Sequence, residues 1–580
     1  MLKFLLSSFC FLISVTILIN CAGSKKPSTG YADDKKTLAI GKELFNTNCA
    51  SCHAIDHEEI GPRLGGITHL LPEKALTEFI RNPGKVIESG EPRAVNLSRK
   101  YKMVMPSYDF LQPAEINSIL AYIDNETKLH PIEPLLVKIE NNNISQTNER
   151  FGTPVKKSGI QIELEDFVQI PASSDKPPLT RIANMRPHPS SDGTLYVSDQ
   201  RGIIYRIQNN QAAVFFDIRP KADKFINTPG LGTGLGSFAF HPDYLSNGLI
   251  YITHTEEFTG KKADYEFPDS IKVALQWVVS EWKINDVKSK TFEGTRRELL
   301  RINVPGNVHG TQDIGFVPGI GKNDPDYGML FIGTGDGGST IGKHPEITHH
   351  LNSLLGTIIR IDPIGNNSRN GHYGIPADNP FVNNTDPKTF KEIYAFGFRN
   401  PHRMSWDLTH GKIMFSAEVG ESNFEEVNVI VKGGDYGWNT REGSFGISPS
   451  DLKNVYKVNK TEKDNFIKPF VAYDHKDGNA ISGGYVYQGN LEALRNKYIF
   501  GDIVNGRIFC VNINKQLSDS TVYEINIVKD SKPADLQQMS GSKRVDLRIE
   551  YNPFTKEMYI MTKSDGRIRR IKNAMGSLTR

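Results

Sequence analysis

Apolar residues recur with two different periods along the chain and divide it into a helical part and a β-rich part. Between residues 38 and 130 they follow helical spacing, as in PAEINSILAYIDNE, where Pro113 opens an amphipathic helix. From residue 160 to 575 they form short β-like runs that end in Gly or Asp turns, and several runs pair as hairpins. The pattern predicts a small all-α domain followed by an all-β six-bladed β-propeller, because about 415 residues of strand-turn-strand units without a long helix are typical of propellers. A stacked β-sandwich is the alternative.

The segments outside these two domains are predicted to export and tether the protein. Residues 1–20, MLKFLLSSFCFLISVTILIN, have the short n-region and the apolar h-region of a signal peptide and are brief for a transmembrane span. Residues 21–37 form a small, polar tether, and the Asn-rich residues 131–159 predict a linker. The junction before Cys21 resembles a bacterial lipobox, although Asn20 replaces the usual small residue. Cys21 is therefore the expected lipidation site of an exported protein, in the periplasm or anchored to the outer membrane, and an uncleaved N-terminal anchor is the alternative.

Composition and charge narrow the classes of function. The formal net charge of +3 is too small to indicate a nucleic-acid partner. Two of the five cysteines lie in or directly after the leader, two form a C-x-x-C pair, and only Cys510 remains. The chain therefore has no disulfide framework.

The string CASCH at residues 49–53 is the attachment signature of c-type haem. Cys49 and Cys52 would bind the haem vinyl groups covalently, and His53 would ligate the iron from one side. With these residue frequencies, roughly 0.001 such strings are expected by chance. The signature therefore indicates a covalently bound haem in an exported protein.

The segment around this signature resembles the small class I cytochromes c. A Met-Pro pair precedes the last helix in that family, and here Met105 stands before Pro106. The resemblance implies that Met105 is the distal iron ligand, with Met103 as the competing candidate, and that Pro62 steadies the ring of His53. A His/Met pair fills both axial positions and suits electron transfer.

The β-rich part carries five strings that resemble, in order, the soluble quinoprotein glucose/aldose sugar dehydrogenases. These strings are GLGTGLGSFAFHPDYLSNGLIYI (230–252), LLGTIIRIDP (354–363), EIYAFGFRNPHRMSWD (392–407), EVGESNFEEVNVIVKGGDYGWNTREG (418–443) and GGYVYQGNLEALRNKYIFGDIVNGRIF (483–509). Members of that family are six-bladed propellers that use pyrroloquinoline quinone (PQQ) and calcium. The chain lacks the long insertions and the cysteine pair of the glucose-specific members, which favours a broader aldose, or another hydroxyl or aldehyde substrate.

The resemblance assigns the main site residues. Oxidation of the anomeric C–OH needs a base for the hydroxyl proton, and the histidine of the His-Pro-Asp turn, His241, is expected to supply it. Arg399 in the Arg-Asn-Pro string, with Asn400 beside it, is expected to contact the quinone, because a guanidinium suits a tricarboxylated cofactor. His241 and Arg399 should therefore face one central cavity.

Further positions follow from the same resemblance with less support. Gln200 and Arg201 stand where the family places polar residues near the quinone. Arg507 lies in a string that is basic in the glucose enzymes, although Asn505 replaces one expected basic residue. His309 occupies a strand start that is often His-rich in the family.

A calcium site is expected at the string Glu418-Val419-Gly420-Glu421. In the family, backbone oxygens of a Glu-x-Gly-Pro string hold the ion, and here the matching positions are Gly420 and Glu421, with Glu in place of Pro. Glu425 and Glu426 follow at the family's acidic position, and an exposed acidic turn is the alternative interpretation of that pair.

These expectations combine into one hypothesis with two rivals. The chain is predicted to be a PQQ-dependent sugar dehydrogenase that passes electrons one at a time through its own haem c to an acceptor of the respiratory chain, a cytochrome or an oxidase. The first rival is a non-catalytic propeller that binds a protein or a glycan and is tethered to the cytochrome. The second is an electron carrier whose propeller only docks partners. Placement of His241 and Arg399 on opposite faces would favour the binding module.

Overall fold

The computed structural model describes residues 30–137, 152–458 and 465–578. The predicted signal peptide, Cys21 and most of the tether lie outside the described residues, as does the middle of the predicted linker. Among the described residues, none of the helices combines the length and apolar character needed to cross a membrane.

The N-terminal part is a small helical domain, as predicted. Its helices are α1 (Lys35–Asn48), α2 (Ile67–Leu70), α3 (Glu73–Arg81), α4 (Pro83–Glu88), α5 (Pro92–Tyr101) and α6 (Pro113–Leu129). The last helix begins at Pro113, and Gln112 and Glu115 form a capping box there. Helices α1 and α6 cross closely at Gly41, where a Cβ atom would lie 2.0 Å from the Ser118 carbonyl oxygen. Their apolar faces enclose one core that includes Phe45, Ile116 and Leu120.

The remainder is a six-bladed β-propeller, and the sandwich alternative is wrong. Blade 1 contains β2 (Ile182–Pro187), β3 (Leu195–Asp199), β4 (Ile203–Gln208) and β5 (Gln211–Asp217). Blade 2 contains β6 (Leu235–Phe240), β7 (Leu249–Glu256), β8 (Leu275–Ile284) and β9 (Gly294–Val304), with the short helix α7 (Tyr244–Asn247) after β6. Blade 3 contains β10 (Asp313–Gly315), β11 (Leu330–Thr334), β12 (Thr357–Ile361) and β13 (Ile393–Phe396).

The next two blades carry small additions. Blade 4 contains β14 (Pro401–Asp407), β15 (Ile413–Glu418), β16 (Phe424–Val429) and β20 (Val471–Asp474), and a separate sheet of β17 (Arg441–Glu442), β18 (Phe445–Ile447) and β19 (Val455–Tyr456) is inserted before β20. Blade 5 contains β21 (Ile481–Tyr487), β22 (Lys497–Asp502), β23 (Ile508–Asn512) and β24 (Tyr523–Lys529), and β25 (Lys532–Ala534) pairs with β24. Two short 3-10 helices lie at Pro345–Ile347 and Glu492–Leu494.

Blade 6 closes the ring with a strand from the other end of the domain. It contains β26 (Leu547–Tyr551), β27 (Met558–Thr562) and β28 (Arg567–Met575), preceded by the helix α8 (Leu536–Ser540), and its outer strand is β1 (Lys156–Gln169). Strand β1 pairs antiparallel with β28 and parallel with β24, so blades 5 and 6 share one sheet. The domain therefore begins four residues before the predicted boundary at residue 160.

The inner strands of the six blades surround a polar axis rather than an open channel. Strands β2, β6, β10, β14, β21 and β26 contact one another in succession around the ring. The buried carboxylate of Asp313 accepts from Arg186 at 2.8 Å and from the backbone N–H of Met404 at 2.8 Å. Glu550 pairs with the same Arg186 at 3.2 Å and accepts from the Tyr485 hydroxyl at 2.7 Å. We call the face at which the inner strands begin the upper face and the face at which they end the lower face.

The helical domain rests on the upper face of the propeller through polar contacts. Lys102 Nζ donates to Asn423 Oδ1 at 3.0 Å and to the Lys453 carbonyl at 3.3 Å, and Lys543 Nζ lies 3.5 Å from Asn82 Oδ1. Two further contacts are the ion pair of Lys176 with Glu115 and the placement of Lys453 Nζ 5.3 Å above the ring of Tyr101. A charged interface of this kind is sensitive to salt.

Candidate active site and haem site

His309 lies on the upper face directly before β10, and an aspartate orients its ring. His309 Nδ1 lies 2.7 Å from Oδ1 of Asp336, a buried residue that follows β11. Nδ1–H therefore donates to the carboxylate, and Nε2 is left with a lone pair that no described residue binds. Burial, and then the positive charge of Arg399, lowers the pKa of His309. The ring is therefore neutral near pH 7 and can accept a proton at Nε2.

Arg399 stands next to this histidine and is neutralised by a carboxylate. It precedes β14, is buried, and donates from Nε and from its terminal nitrogen to Glu421 Oε2, at 2.8 and 2.5 Å. Burial lowers the pKa of Arg399, but the negative charges of Glu421 and Asp336 outweigh burial and raise it above its ordinary value. The predicted cofactor arginine is therefore in the site, and Glu421, the residue in place of the family's proline, occupies its fork. Asn400 is also buried, beside Arg399.

The turn at Gly420 and Glu421 is held by one carboxylate from the inserted sheet. Glu442 Oε1 accepts from four consecutive backbone N–H groups, those of residues 421–424, at 2.8 to 3.1 Å. At Gly420 a Cβ atom would lie 1.7 Å from the Phe424 carbonyl oxygen, so only glycine fits. Within the described residues, the carbonyl oxygens of Gly420 and Glu421 accept no hydrogen bond. These are oxygen ligands of the type that calcium prefers.

Side-chain carboxylates do not form a metal site there. In the described part of the chain, no group of three or more His, Cys, Asp or Glu side chains is arranged to hold a metal ion. Glu425 is fully buried, accepts from His475 Nε2 at 2.8 Å and from the Ile481 N–H at 2.8 Å, and does not lie in an exposed turn. Glu426 Oε1 accepts from the Gly443 N–H, so the pair has a structural role in blade 4.

A cluster of buried basic side chains from blades 4 and 6 completes the upper-face site. Lys563 Nζ donates to Gln200 Oε1 at 2.7 Å, and Arg548 donates to the Leu547 carbonyl at 2.7 Å. Arg403 donates to the carbonyls of Gln312 and Ala183, both at 2.9 Å. We call Lys563, Arg548, Arg403 and His402 the cationic cradle.

Within the described residues no salt bridge pairs the cations of the cationic cradle, and the buried Asp546 is the carboxylate that acts on Lys563 and Arg548 from a longer distance. Burial and the charge of Arg548 hold the pKa of Lys563 well below its usual range, and burial and the charge of Arg403 lower the pKa of Arg548 to about 9. Both ring nitrogens of His402 are buried without a hydrogen-bond partner in the described residues, and so are Arg403 Nε and Arg548 Nε. Buried charges and polar groups are costly unless they are paired. A ligand that carries several carboxylates would complement the charge of the cradle, since it would pair these cations.

His241 lies elsewhere, and its expected convergence with Arg399 is wrong. It follows β6 on the lower face, where its ring is 5.4 Å from that of Phe316 and where Gly328 adjoins it. Gly328 precedes β11 and adjoins His241. Asp336 follows the same strand and adjoins the His309–Arg399 pair. Eight residue steps of extended chain separate them by about 25 Å. Placement of His241 and Arg399 on opposite faces favours the non-catalytic binding module. However, His309 lies beside Arg399 on the upper face and can act as the base in place of His241.

The three weaker assignments on this face have different outcomes. Gln200 is in the site, because it is buried and binds Lys563. Arg507 is not, because its fork pairs with Glu524 Oε1 and Oε2 at 3.0 and 2.9 Å on the outer strand β24. Arg201 donates to Ser173 Oγ at 2.8 Å and to the Pro178 carbonyl at 3.0 Å, and in the described residues no hydrogen bond joins it to the cradle.

The haem-attachment loop has the geometry that its motif requires. Cys49 caps α1, and the N–H groups of Cys52 and His53 donate to the Cys49 carbonyl at 3.0 and 2.9 Å. His53 Nδ1 lies 2.7 Å from the Pro62 carbonyl, which leaves Nε2 for the iron. Gly61 allows this contact, since a Cβ atom would be 2.6 Å from the ring. Met105, the predicted distal ligand, is partly buried, whereas the competing Met103 is 38% exposed.

The members of the cationic cradle were not found by sequence reasoning. All four lie in or directly after apolar inner or second strands, in the three strings NPHRMSW, VDLRIEY and MYIMTKSDG. A positive charge inside an otherwise buried strand was the available signal, because such a charge needs an anionic partner.

Comparisons with known proteins agree with this architecture. The family description "Glucose / Sorbosone dehydrogenase" matches residues 184–577, and "Cytochrome c" matches residues 38–126. The chain is 27% identical to HIPL1 protein of Arabidopsis thaliana over 73% of this chain and 67% of that one. It is 28% identical to quinoprotein glucose dehydrogenase B of Acinetobacter calcoaceticus over 37% of this chain and 41% of that one. It therefore spans less than half of the length of the bacterial relative.

Solved structures share the fold. A glucose dehydrogenase structure aligns with 71% of this chain and 99% of its own, at 16% identity and a TM-score of 0.50. At this identity the likeness concerns the propeller alone.

Proposed function

Because the chain belongs to the glucose/sorbosone dehydrogenase family and carries a cytochrome c domain, we propose that it is a PQQ-dependent dehydrogenase of an aldose sugar, or of a similar hydroxyl or aldehyde substrate. The observation that carries this proposal is the meeting of a neutral, oriented histidine with a buried cationic cradle on one face of the propeller.

In this proposal His309 is the catalytic base. Its Nε2 takes the proton of the substrate hydroxyl, while the bond from Nδ1 to Asp336 fixes the tautomer and stabilises the imidazolium that forms. The guanidinium of Arg399 already donates to Glu421 and to the Val419 carbonyl, so Glu421 would need to share it with a cofactor carboxylate.

The cradle is the proposed quinone site. Lys563, Arg548 and His402 would hold the PQQ carboxylates and oxygens, and Gln200 orients Lys563. PQQ bound there would supply a two-electron acceptor. The free carbonyl oxygens of Gly420 and Glu421 are the proposed calcium ligands.

The cytochrome domain is the proposed exit for electrons. Haem c held by Cys49, Cys52, His53 and Met105 would supply a one-electron carrier. We place the protein in the cell envelope, anchored through Cys21, with a cytochrome or an oxidase of the respiratory chain as the acceptor.

One observation favours a second candidate, the non-catalytic binding module. Glu421 satisfies the fork of Arg399 from within the chain, so this cation does not by itself call for a ligand. In that case the upper face would bind a protein or a glycan without oxidising it.

Reconstitution separates the two candidates. The haem-loaded protein is mixed with PQQ and Ca²⁺, aldoses are added, and reduction of the haem is followed in the visible spectrum. The dehydrogenase predicts sugar-dependent reduction that requires PQQ and is lost in His309→Gln. Absence of both PQQ binding and haem reduction would overturn the dehydrogenase and leave the binding module.

A further inference from the structure

Arg544 lies where the haem domain meets the quinone side of the propeller. It precedes β26 on the upper face, and the adjacent Lys543 lies against Asn82, at the corner between α3 and α4 of the cytochrome domain. Two residues before Asn82, the Ile80 carbonyl accepts from the N–H of Tyr108 at 3.1 Å. The residues before β26 therefore abut the segment that carries the predicted distal ligand.

The same residue is within electrostatic range of the haem-attachment loop. Tyr108 donates from its hydroxyl to the Asn48 carbonyl at 2.6 Å, directly before Cys49. The charge of Arg544 acts on both Tyr108 and Cys52.

On its other side Arg544 is joined to the cationic cradle. Its Nε donates to Asp546 Oδ1 at 2.9 Å, and the buried Asp546 lies within range of the charge of Lys563. Packing fixes this segment: Val545 donates to the Val504 carbonyl at 2.9 Å and is fully buried. A fixed chain of charges, Arg544, Asp546 and Lys563, thus runs from the haem loop to the proposed quinone site.

We propose that Arg544, a fixed cation beside the haem-attachment loop, raises the reduction potential of the haem. The link from Arg544 to the quinone site rests on the proposed function, whereas the effect of Arg544 on the haem does not. Reduction removes one positive charge from the iron, so a fixed cation nearby favours the ferrous form. The interaction is strong because Arg544 is only partly hydrated at the interface.

The proposed shift to a higher haem potential favours the transfer of electrons from the propeller to the haem. A higher haem potential makes the haem a better acceptor, and each transfer moves one electron, reducing ferric to ferrous haem. Asp546 limits the effect, because its negative charge partly offsets that of Arg544, and the pair therefore sets the potential jointly.

Potentiometry of the full-length, haem-loaded protein without PQQ tests the proposal. Arg544→Gln is expected to lower the ferrous-to-ferric ratio at a fixed potential roughly tenfold, which is a shift of 59 mV for a one-electron couple. Arg544→Lys keeps the charge and should keep most of the ratio. The matched control is Arg219→Gln, since Arg219 also pairs with an aspartate two residues away but lies on blade 1.

The outcomes decide the proposal. A ratio within twofold of wild type in Arg544→Gln overturns it, and so does an equal fall in Arg544→Lys or in Arg219→Gln. With PQQ and sugar added, Arg544→Gln should also slow haem reduction while PQQ binding persists. If the potential falls as expected but sugar never reduces the haem in the wild type, the proposed function fails and the role of Arg544 stands.

Discussion

Lys563→Met should stabilise the cofactor-free propeller and reduce the further stabilisation that the cofactor provides. The lysine is 7% exposed, is surrounded by Arg548 and other cations, and has one hydrogen bond, to Gln200. Removing an unpaired buried ion relieves a desolvation penalty of several kcal/mol. Loss of its charge-assisted hydrogen bond costs about 1.5–3 kcal/mol. The free energy of unfolding should therefore rise by about 1–3 kcal/mol in the absence of cofactor.

The cofactor should offset most of this gain in the free energy of unfolding. A ligand at 100 times its Kd stabilises the protein by about 2.7 kcal/mol. If loss of one charge-assisted hydrogen bond weakens binding about 100-fold, the gain in Lys563→Met is only about 0.4 kcal/mol. The assay is urea unfolding with and without PQQ and Ca²⁺, followed by tryptophan fluorescence, because all four tryptophans lie in the propeller.

The pH dependence gives an independent check. Since folding lowers the pKa of Lys563, the unfolded chain binds more protons between that lowered value and the ordinary value of 10.5. Stability of the wild type should therefore rise with pH across this window, and the rise should shrink in Lys563→Met. A variant that is less stable without cofactor, and that keeps the full stabilisation by cofactor, would refute the cationic cradle.

The other predictions concern the base, the haem and the anchor. His309→Gln should lower turnover by roughly 10²–10⁴-fold with PQQ binding retained, whereas His241→Gln on the lower face should leave steady-state turnover near the wild-type level. Because burial lowers the pKa of His309, kcat/KM should be constant above pH 6.5 and fall as the pH drops through the lowered value; an acidic limb above pH 7 would contradict this. Met105→Ala should abolish the thioether-to-iron absorption band and Met103→Ala should not, as visible spectra will show. Cys21→Ser should leave the protein unprocessed or released from membranes in detergent-free fractions, and unchanged association with a trimmed leader would argue against lipidation.

The haem site could be predicted because its residues are adjacent in sequence. Cys49, Cys52 and His53 span one turn of chain, and the chemistry of attachment requires that spacing. The two domains and their classes could also be predicted, since the hydrophobic period changes from helical to β-like between them. The number of blades agrees with the resemblance to a known family, and strand length alone would not have given it.

The propeller site could be predicted only in part, because its residues come from different blades. His241 and His309 both adjoin inner strands, and only the end of the strand decides which face each residue occupies. The strand after His309 is three residues long and therefore gives little periodic signal. Arg507 was misassigned for a related reason: its face was right, but Glu524 on the outer strand draws the side chain outward.

Closure of the ring by β1 has a kinetic consequence for the electron carrier. Strand β1 lies in blade 6, the blade that also carries Arg544 and Lys563, so the chain leaving α6 is anchored beside the surface on which the haem domain rests. A tether of this kind keeps the effective concentration of one module at the other in the millimolar range. Encounter between propeller and haem is then first order and independent of dilution, as it would be for any module fused ahead of β1.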